Sequence, residues 1–206
     1  MKFKVCGLTQ LEQVKEINSL NFDYLGFIFY PKSKRCISEE LLIGIKDLCL
    51  KKVAVFVNEE IEKIKYLVSI YNFSFIQLHG DETKFFCEDL KSRVNKIIIK
   101  AFQINQDFDF SILTDYQEAV DYFLFDTACD SYGGSGKVFN WEILKKYNLD
   151  TPYFLSGGLN PDNLNLALEF AKNDSRLFAL DLNSGFEISP GKKNIDLLKG
   201  IINEKK

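Results

Sequence analysis

Eight short apolar runs recur along the chain, and a helical pattern follows most of them. Most of the runs are uniformly apolar rather than alternating, which favours strands covered on both faces, as in a parallel sheet. Eight strand–helix units in 206 residues fit the small end of the (β/α)8 TIM barrel, which starts at about 200 residues. A doubly wound open sheet is the alternative. The predicted strands are Phe3–Cys6, Tyr24–Tyr30, Val53–Val57, Phe75–Leu78, Lys96–Phe102, Tyr122–Asp126, Tyr153–Leu155 and Phe178–Leu182.

Three of the predicted helices carry a capping signal at their start. Thr9 and Glu12 have the spacing of a capping box, Asn58 precedes two acidic residues, and Asn160 is followed by Pro161. The fifth helical pattern, Ser111–Tyr116, is the weakest, and the last helix has its apolar residues between 195 and 202. Because polar, chemistry-bearing residues follow so many of the strands, we prefer the barrel and interpret residues 1–206 as a single catalytic domain.

Composition and charge exclude several classes of protein. Hydrophobic residues make up 46% and charged residues 27%, a mix typical of a soluble globular domain. The net charge of −3 and the pI near 5.4 argue against nucleic acid as the main partner. No apolar run approaches the ~20 residues of a membrane span, and the first residues do not form a signal peptide.

The cysteine and histidine content argues against a disulfide framework and against a zinc site. The five cysteines are odd in number and none forms a CxxC pair, and His79 is the sole histidine. We therefore expect a protein of the reducing cytoplasm. The cysteines are Cys6, Cys36, Cys49, Cys87 and Cys129.

In a barrel of this kind the active site lies at the carboxyl ends of the strands. Cys6 ends the first strand, Asp126 ends the sixth, and Asp181 lies near the end of the eighth. Arg35 lies in the loop after the second strand and His79 follows the fourth. Each has a simpler interpretation when taken alone. Cys6 could be core packing, Asp126 a helix cap or salt-bridge partner, Arg35 a surface residue and His79 a loop residue.

Glycine-rich loops follow the two last strands. Gly157 and Gly158 lie in "YFLSGGLNPDN", and Ser184 and Gly185 lie in "ALDLNSGFE". Glycine lets the backbone approach an anion, and these two loops are where barrels commonly bind phosphate. Ordinary turns are the alternative. A third stretch, Gly133–Gly136 in "YGGSGKVFNW", does not match a Walker A loop and is either a mobile loop over a site or a linker.

Six motifs occur in an order and spacing that resemble phosphoribosylanthranilate isomerases, a family of tryptophan biosynthesis. The resemblance runs from the first strand to the last helix. Its most specific parts are the Cys-Gly pair after the first strand and the Ser-Gly-x-Glu-x-x-Pro-Gly segment that begins at Ser184. The motifs are "KVCGLT", "GFIFYPKSKR", "IQLHGDE", "FDT…YGGSGKVFNW", "FLSGGLNPDN" and "LNSGFEISPGKKN".

The resemblance implies an Amadori rearrangement of an aminoaldose phosphosugar to an aminoketose, without metal or redox cofactor. It makes Asp126 the general acid and Cys6 the general base, and we expect the thiol in an exposed, electropositive setting. The implied partner is a small-molecule phosphosugar, with no nucleic acid and no membrane, and the oligomeric state stays open between monomer and homodimer. The implied substrate-binding residues are Arg35 for the anthranilate carboxylate, Gly157, Gly158, Ser184 and Gly185 for phosphate, and Asp181.

Three other functions remain as alternatives. The histidine-pathway aminoaldose isomerase runs the same chemistry, but with aspartate in place of Cys6 and with a two-phosphate substrate. A non-catalytic phosphosugar-binding module would need no acid–base pair. A thiol hydrolase would need His79 beside Cys6, whereas the first and fourth strands lie far apart around a barrel.

Overall fold

In the computed structural model, which describes residues 1–127 and 141–204, eight parallel strands close into a barrel in chain order. The barrel closes by pairing of β1 with β8, where Lys4 lies in register with Asp181. Closure excludes the open-sheet alternative and confirms the predicted barrel. All eight predicted strands are present, with ends shifted by two residues or fewer. They are β1 (Lys2–Cys6), β2 (Tyr24–Ile28), β3 (Lys52–Phe56), β4 (Phe75–Leu78), β5 (Ile97–Ile104), β6 (Tyr122–Thr127), β7 (Tyr153–Ser156) and β8 (Leu177–Leu182).

Helices cover the outside of the barrel. Short 3₁₀ helices, Phe110–Tyr116 and Trp141–Lys146, follow β5 and β6. A hairpin of β9 (Glu187–Ser189) and β10 (Lys192–Lys193) follows β8. No helix of the described part is long and apolar enough to cross a membrane. The α-helices are α1 (Leu11–Ser19), α2 (Glu39–Ile45), α3 (Ile61–Ile70), α4 (Lys84–Arg93), α5 (Leu164–Lys172) and α6 (Ile195–Glu204).

The strands are apolar on both faces because they separate two apolar clusters. One cluster fills the barrel interior, where Tyr24 contacts Phe75 and Phe154 edge to face. The other, larger cluster lies between the strands and the helices. This double burial explains why most of the runs show no alternation of polar and apolar residues.

Two of the three predicted helix caps, Thr9 and Asn58, are wrong, because each side chain bonds elsewhere. Thr9 donates to the carbonyl of Gly191 at 2.8 Å, and α1 begins two residues later. Asn58 has a φ of 50° and accepts from the Asp81 N–H at 2.7 Å, whereas α3 begins at residue 61. Asn160 does accept from the N–H groups two and three positions on, as predicted for a cap, but these residues form a turn and the regular helix α5 begins at residue 164.

Candidate active site

A cavity of about 610 Å³ opens at the carboxyl ends of the strands. The two residues predicted as acid and base, Asp126 and Cys6, both line it, although they come from β6 and β1. Most of the other predicted residues lie there as well, so one concave site contains groups from strands distant in sequence. Of the predicted site residues, those on the cavity wall are Cys6, His79, Asp126, Gly157, Gly158, Asp181 and Ser184.

Cys6 lies at the cavity wall, but its side chain is not exposed as predicted. The residue is only 3% exposed, because it packs among the apolar side chains inside the barrel. A Cβ on Gly26 would lie 2.7 Å from the Cys6 sulfur, so the neighbouring strand must carry glycine at this point. Burial raises the pKa of the Cys6 thiol, while the ammonium groups of Lys4 and Lys193 act in the opposite direction. The exposed part of the expectation is therefore wrong, and the electropositive part is offset by the Asp181 carboxylate, which raises the thiol pKa as burial does.

Asp126 is part of a hydrogen-bond network that crosses the barrel. Its Oδ2 lies 3.2 Å from His79 Nε2, and both side chains are a little over one-quarter exposed. The other ring nitrogen of His79, Nδ1, lies 2.8 Å from Gln77 Nε2. Gln77 Oε1 in turn accepts from Lys4 Nζ at 2.8 Å, and Lys4 donates to Asp181 Oδ2 at 2.7 Å. Three side chains, those of His79, Gln77 and Lys4, thus connect the two carboxylates of the site.

Asp181 places an unused acceptor beside the cavity. The residue is 4% exposed, and its Oδ2 is held by the buried Lys4. Its Oδ1 is buried and has no hydrogen-bond partner among the described residues. A buried carboxylate oxygen without a donor is costly. Its position on the cavity wall suits it to accept a hydrogen bond from a bound ligand.

Arg35 is not on the cavity wall, but it adjoins Gly7 together with Asn183 of the wall, and it forms a bidentate ion pair with Glu187. Its Nε and Nη2 donate to the Glu187 carboxylate at 2.6–3.0 Å, and Glu187 also accepts from the buried Lys193 at 2.7 Å. Burial alone would raise the pKa of Glu187, but these two cations hold it below its usual range. The guanidinium has five donors in a planar fork. Glu187 therefore fixes one edge of Arg35, and a second carboxylate can approach the other edge.

The two predicted glycine-rich loops meet at the cavity. Gly157 and Gly158 have φ values of 88° and 66°, a left-handed conformation that side chains rarely adopt. A Cβ on Gly185 would lie 2.1 Å from the carbonyl oxygen of Leu159, so the loops after β7 and β8 pack directly against each other. Ser184 begins a 3₁₀ turn, and the first N–H groups of a helical turn have no partner within it. These features suit the loops to bind an anion.

Some functional positions were not identified from the sequence. Lys4 and Gln77 stand in apolar strands, "KFKVC" and "FIQL", and a polar residue inside such a run is the signal that could have found them. Glu187 and Lys193 belong to the terminal motif, whose internal pairing no local pattern reveals. The predicted stretch Gly133–Gly136 and Cys129 lie outside the described residues, and the remaining four cysteines are free thiols.

Comparison with known proteins gives one consistent family. A family model described as N-(5'phosphoribosyl)anthranilate (PRA) isomerase matches residues 3–204. N-(5'-phosphoribosyl)anthranilate isomerase of Parabacteroides distasonis is 44% identical over 208 residues, covering 99% of this chain and 93% of its own. The crystal structure of phosphoribosyl anthranilate isomerase from Thermotoga maritima has a TM-score of 0.83 and 37% identity, covering 98% of this chain and 97% of that one.

A further solved structure was determined with a ligand. It is a phosphoribosyl anthranilate isomerase in complex with reduced 1-(o-carboxyphenylamino)-1-deoxyribulose 5-phosphate. It has a TM-score of 0.81 and 34% identity, and the match covers 98% of this chain and 97% of that one. The protein that binds that ligand therefore has the same fold as this chain.

Proposed function

The chain belongs to the N-(5'-phosphoribosyl)anthranilate isomerase family, and from this premise we propose how its own residues carry out the reaction. The enzyme is an isomerase of tryptophan biosynthesis that converts N-(5'-phosphoribosyl)anthranilate to 1-(2-carboxyphenylamino)-1-deoxyribulose 5-phosphate. Isomerisation moves hydrogen within one molecule, so the protein has to deliver one proton and remove another. We propose that residues 1–206 act in this as one catalytic domain.

Asp126 is the general acid in this proposal. It donates a proton to the ring oxygen of the ribose, the bond from that oxygen to C1' breaks, and the nitrogen lone pair forms a Schiff base at C1'. Its position at the end of β6, beside the cavity and hydrogen-bonded to His79, supports the role. A positioned acid of this kind contributes about 10²–10⁴-fold to the rate.

Cys6 is the general base in this proposal. Its thiolate removes the proton from C2', and the electron pair of that bond neutralises the Schiff base to give an enolamine. The enolamine then tautomerises to the ketone. Burial makes the thiolate harder to form but a stronger base once it is formed, and the two lysine ammonium groups beside it favour its negative charge.

The remaining site residues bind the two ends of the substrate. Arg35 is assigned to the anthranilate carboxylate, because the edge of its guanidinium opposite Glu187 can form a bidentate pair. The backbone of Gly157, Gly158, Ser184 and Gly185 is assigned to the phosphate. Asp181 is assigned to a sugar hydroxyl, since its Oδ1 has no donor among the described residues.

The observation that carries the proposal is that Cys6 and Asp126 face one cavity that also contains the two glycine-rich loops. A binding module would need no such acid–base pair. A thiol hydrolase would need a histidine beside the thiol, whereas both ring nitrogens of His79 are engaged by Gln77 and Asp126. Family membership favours this isomerase over the histidine-pathway alternative. The reducing cytoplasm stays a prediction for its location.

The direct test is to add the purified protein to freshly made phosphoribosylanthranilate and to follow the loss of anthranilate-type fluorescence. We expect turnover well above the spontaneous decay. Asp126→Asn keeps the shape of the side chain but cannot deliver a proton, so kcat should fall by about 100-fold or more. Decay at the spontaneous rate with the wild-type protein would overturn the isomerase function.

A further inference from the structure

In the hydrogen-bond network below the cavity, the buried lysine determines which groups donate and which accept. Lys4 is fully buried, and its ammonium contacts Gln77 Oε1, Asp181 Oδ2 and the Cys6 thiol. An ammonium group has three donors and no acceptor. The atom of Gln77 that faces Lys4 must therefore be the carbonyl oxygen, and the amide of Gln77 cannot be flipped.

The orientation of Gln77 determines which nitrogen of His79 carries a proton. With its oxygen bound to Lys4, Gln77 presents its NH₂ group to His79 Nδ1 at 2.8 Å. An amide NH₂ only donates, so Nδ1 has to be the acceptor. In a neutral imidazole the proton is then on Nε2, which lies 3.2 Å from Asp126 Oδ2 and donates to it.

The state of His79 decides where the acid can keep its proton. A carboxylic acid whose Oδ2 accepts from His79 can carry its proton only on Oδ1. If His79 had its proton on Nδ1 instead, Nε2 would be an acceptor and would draw the proton of Asp126 toward itself.

We propose that Gln77 is a positioning residue that, oriented by Lys4, holds His79 as the Nε2–H tautomer and so keeps the catalytic proton of Asp126 on Oδ1 for the substrate. This inference rests on the acid role of Asp126 proposed above. It assigns His79 the role of a fixed hydrogen-bond donor, not of a proton carrier. Lys4 on β1 and Gln77 on β4 thereby act on the acid at the end of β6.

The first test is the tautomer of His79 in the wild-type protein. His79 is the only histidine of the chain, so nitrogen NMR of protein labelled with ¹⁵N-histidine gives one unambiguous pair of ring signals. We expect the proton on Nε2 at the pH of the assay. A proton on Nδ1, or on both nitrogens, would overturn the proposal. This measurement needs no turnover, so it is independent of whether the isomerase function holds.

The second test is Gln77→Glu, which keeps the size of the side chain and an oxygen for Lys4 but presents an acceptor to Nδ1. We expect Nδ1 to become protonated, and kcat to fall by about 10-fold or more while KM changes by less than about 2-fold. The matched control is Gln103→Glu, which adds the same charge to the same cavity next to Asp126 in the sheet register. Its His79 should keep the proton on Nε2. An unchanged tautomer or an unchanged kcat in Gln77→Glu would overturn the proposal.

A third comparison tests the proposal even if Gln77→Glu fails to fold. In His79→Gln the side-chain NH₂ can take the place of Nε2–H as the donor to Asp126, whereas His79→Leu has no donor. We expect kcat of His79→Gln to exceed that of His79→Leu by about 10-fold. Equal activity of the two variants would show that donation by His79 does not matter.

Discussion

At Cys6, burial and charge act on the thiol in opposite directions. Burial raises its pKa, and Lys4 and Lys193 favour the thiolate. A thiol in this setting is costly to ionise, and the two ammonium groups beside it are what the base role proposed for Cys6 requires. The chain also offers a cysteine for comparison, since Cys87 is fully buried on α4 within the outer core and lies away from the cavity.

We predict that Cys6→Ser lowers kcat by about 100-fold or more, because serine barely ionises near neutral pH. KM should change little, since the thiol is not assigned as a binding contact. Because Cys6 is buried, we also expect a small loss of stability, so the melting temperature alone does not separate catalysis from packing. Steady-state kinetics is the measurement. The control Cys87→Ser should lower the melting temperature and leave kcat unchanged, and the same pattern in Cys6→Ser would contradict the base assignment.

Arg35 is the residue whose loss should weaken binding of the substrate carboxylate. Arg35→Ala should lower kcat/KM by about 10–150-fold, mainly through KM, because a charged hydrogen bond to the substrate carboxylate is worth about 1.5–3 kcal/mol. The control is Arg93→Ala on α4, where the arginine is paired with Asp89 at the surface and kcat/KM should not change. A normal kcat/KM in Arg35→Ala would show that another group binds the carboxylate.

How far these residues could be predicted depends on the kind of contact. Cys6 and Asp126 were identified because the resemblance gave them roles and because both end strands, which places them at one face of a barrel. Gln77 was missed, since its partner Lys4 is 73 residues away and no local pattern shows such a contact. The burial of Cys6 was missed for the same reason, because it depends on how closely β2 approaches.

At the scale of elements, strands were predicted better than helix starts. A strand covered on both faces shows its burial directly in its composition, so β4 was predicted with its observed ends, Phe75–Leu78. A capping side chain competes with other donors and acceptors that approach in the fold. Thr9 and Asn58 are used to join loops at the carboxyl ends of the strands. These two predicted caps failed because each side chain bonds to a neighbouring loop instead of to its own helix.

The close contact between the loops after β7 and β8 can be tested by adding a single methyl group at Gly185. We predict that Gly185→Ala raises KM by about 10-fold or more, because its Cβ would lie 2.1 Å from the Leu159 carbonyl and must push the loops apart. A displacement of about 1 Å in a positioning element can cost up to ~100-fold. The control is Gly200→Ala in α6, where the new Cβ meets nothing within 4 Å. It should leave KM unchanged and stabilise the protein by up to about 1 kcal/mol. A normal KM in Gly185→Ala would contradict the phosphate assignment.

In the molecule as a whole, polar and apolar side chains occupy different levels of the barrel interior. The five-residue network from Asp181 to Asp126 adjoins the cavity, and aromatic side chains such as Tyr24 and Phe154 fill the interior. A charged network inside a barrel is costly unless its members satisfy one another. The polar network therefore adjoins the cavity, while the two apolar clusters, inside and outside the strands, supply the buried core.

Burial of ionisable side chains predicts how the stability of the barrel depends on pH. Burial raises the pKa of Cys87 from 9.0 to about 12, and those of Tyr24 and Tyr147 from 10.0 to about 12. The folded state then keeps protons that the unfolded chain releases. The free energy of unfolding should thus be unaffected by these groups below pH ~9, and fall between about 9 and 12 by up to ~1.4 kcal/mol per pH unit for each group.

Denaturant unfolding across this pH range, compared between two tyrosine variants, tests that explanation. Tyr24→Phe removes a hydroxyl that titrates inside the barrel, so its free energy of unfolding should fall less steeply with pH than that of the wild type. Tyr66→Phe is the control, since it makes the same substitution at a side chain that is 62% exposed, and it should leave the slope unchanged. Equal slopes for wild type and Tyr24→Phe would mean that the interior of the barrel does not resist ionisation of Tyr24, and that alkaline unfolding starts elsewhere in the molecule.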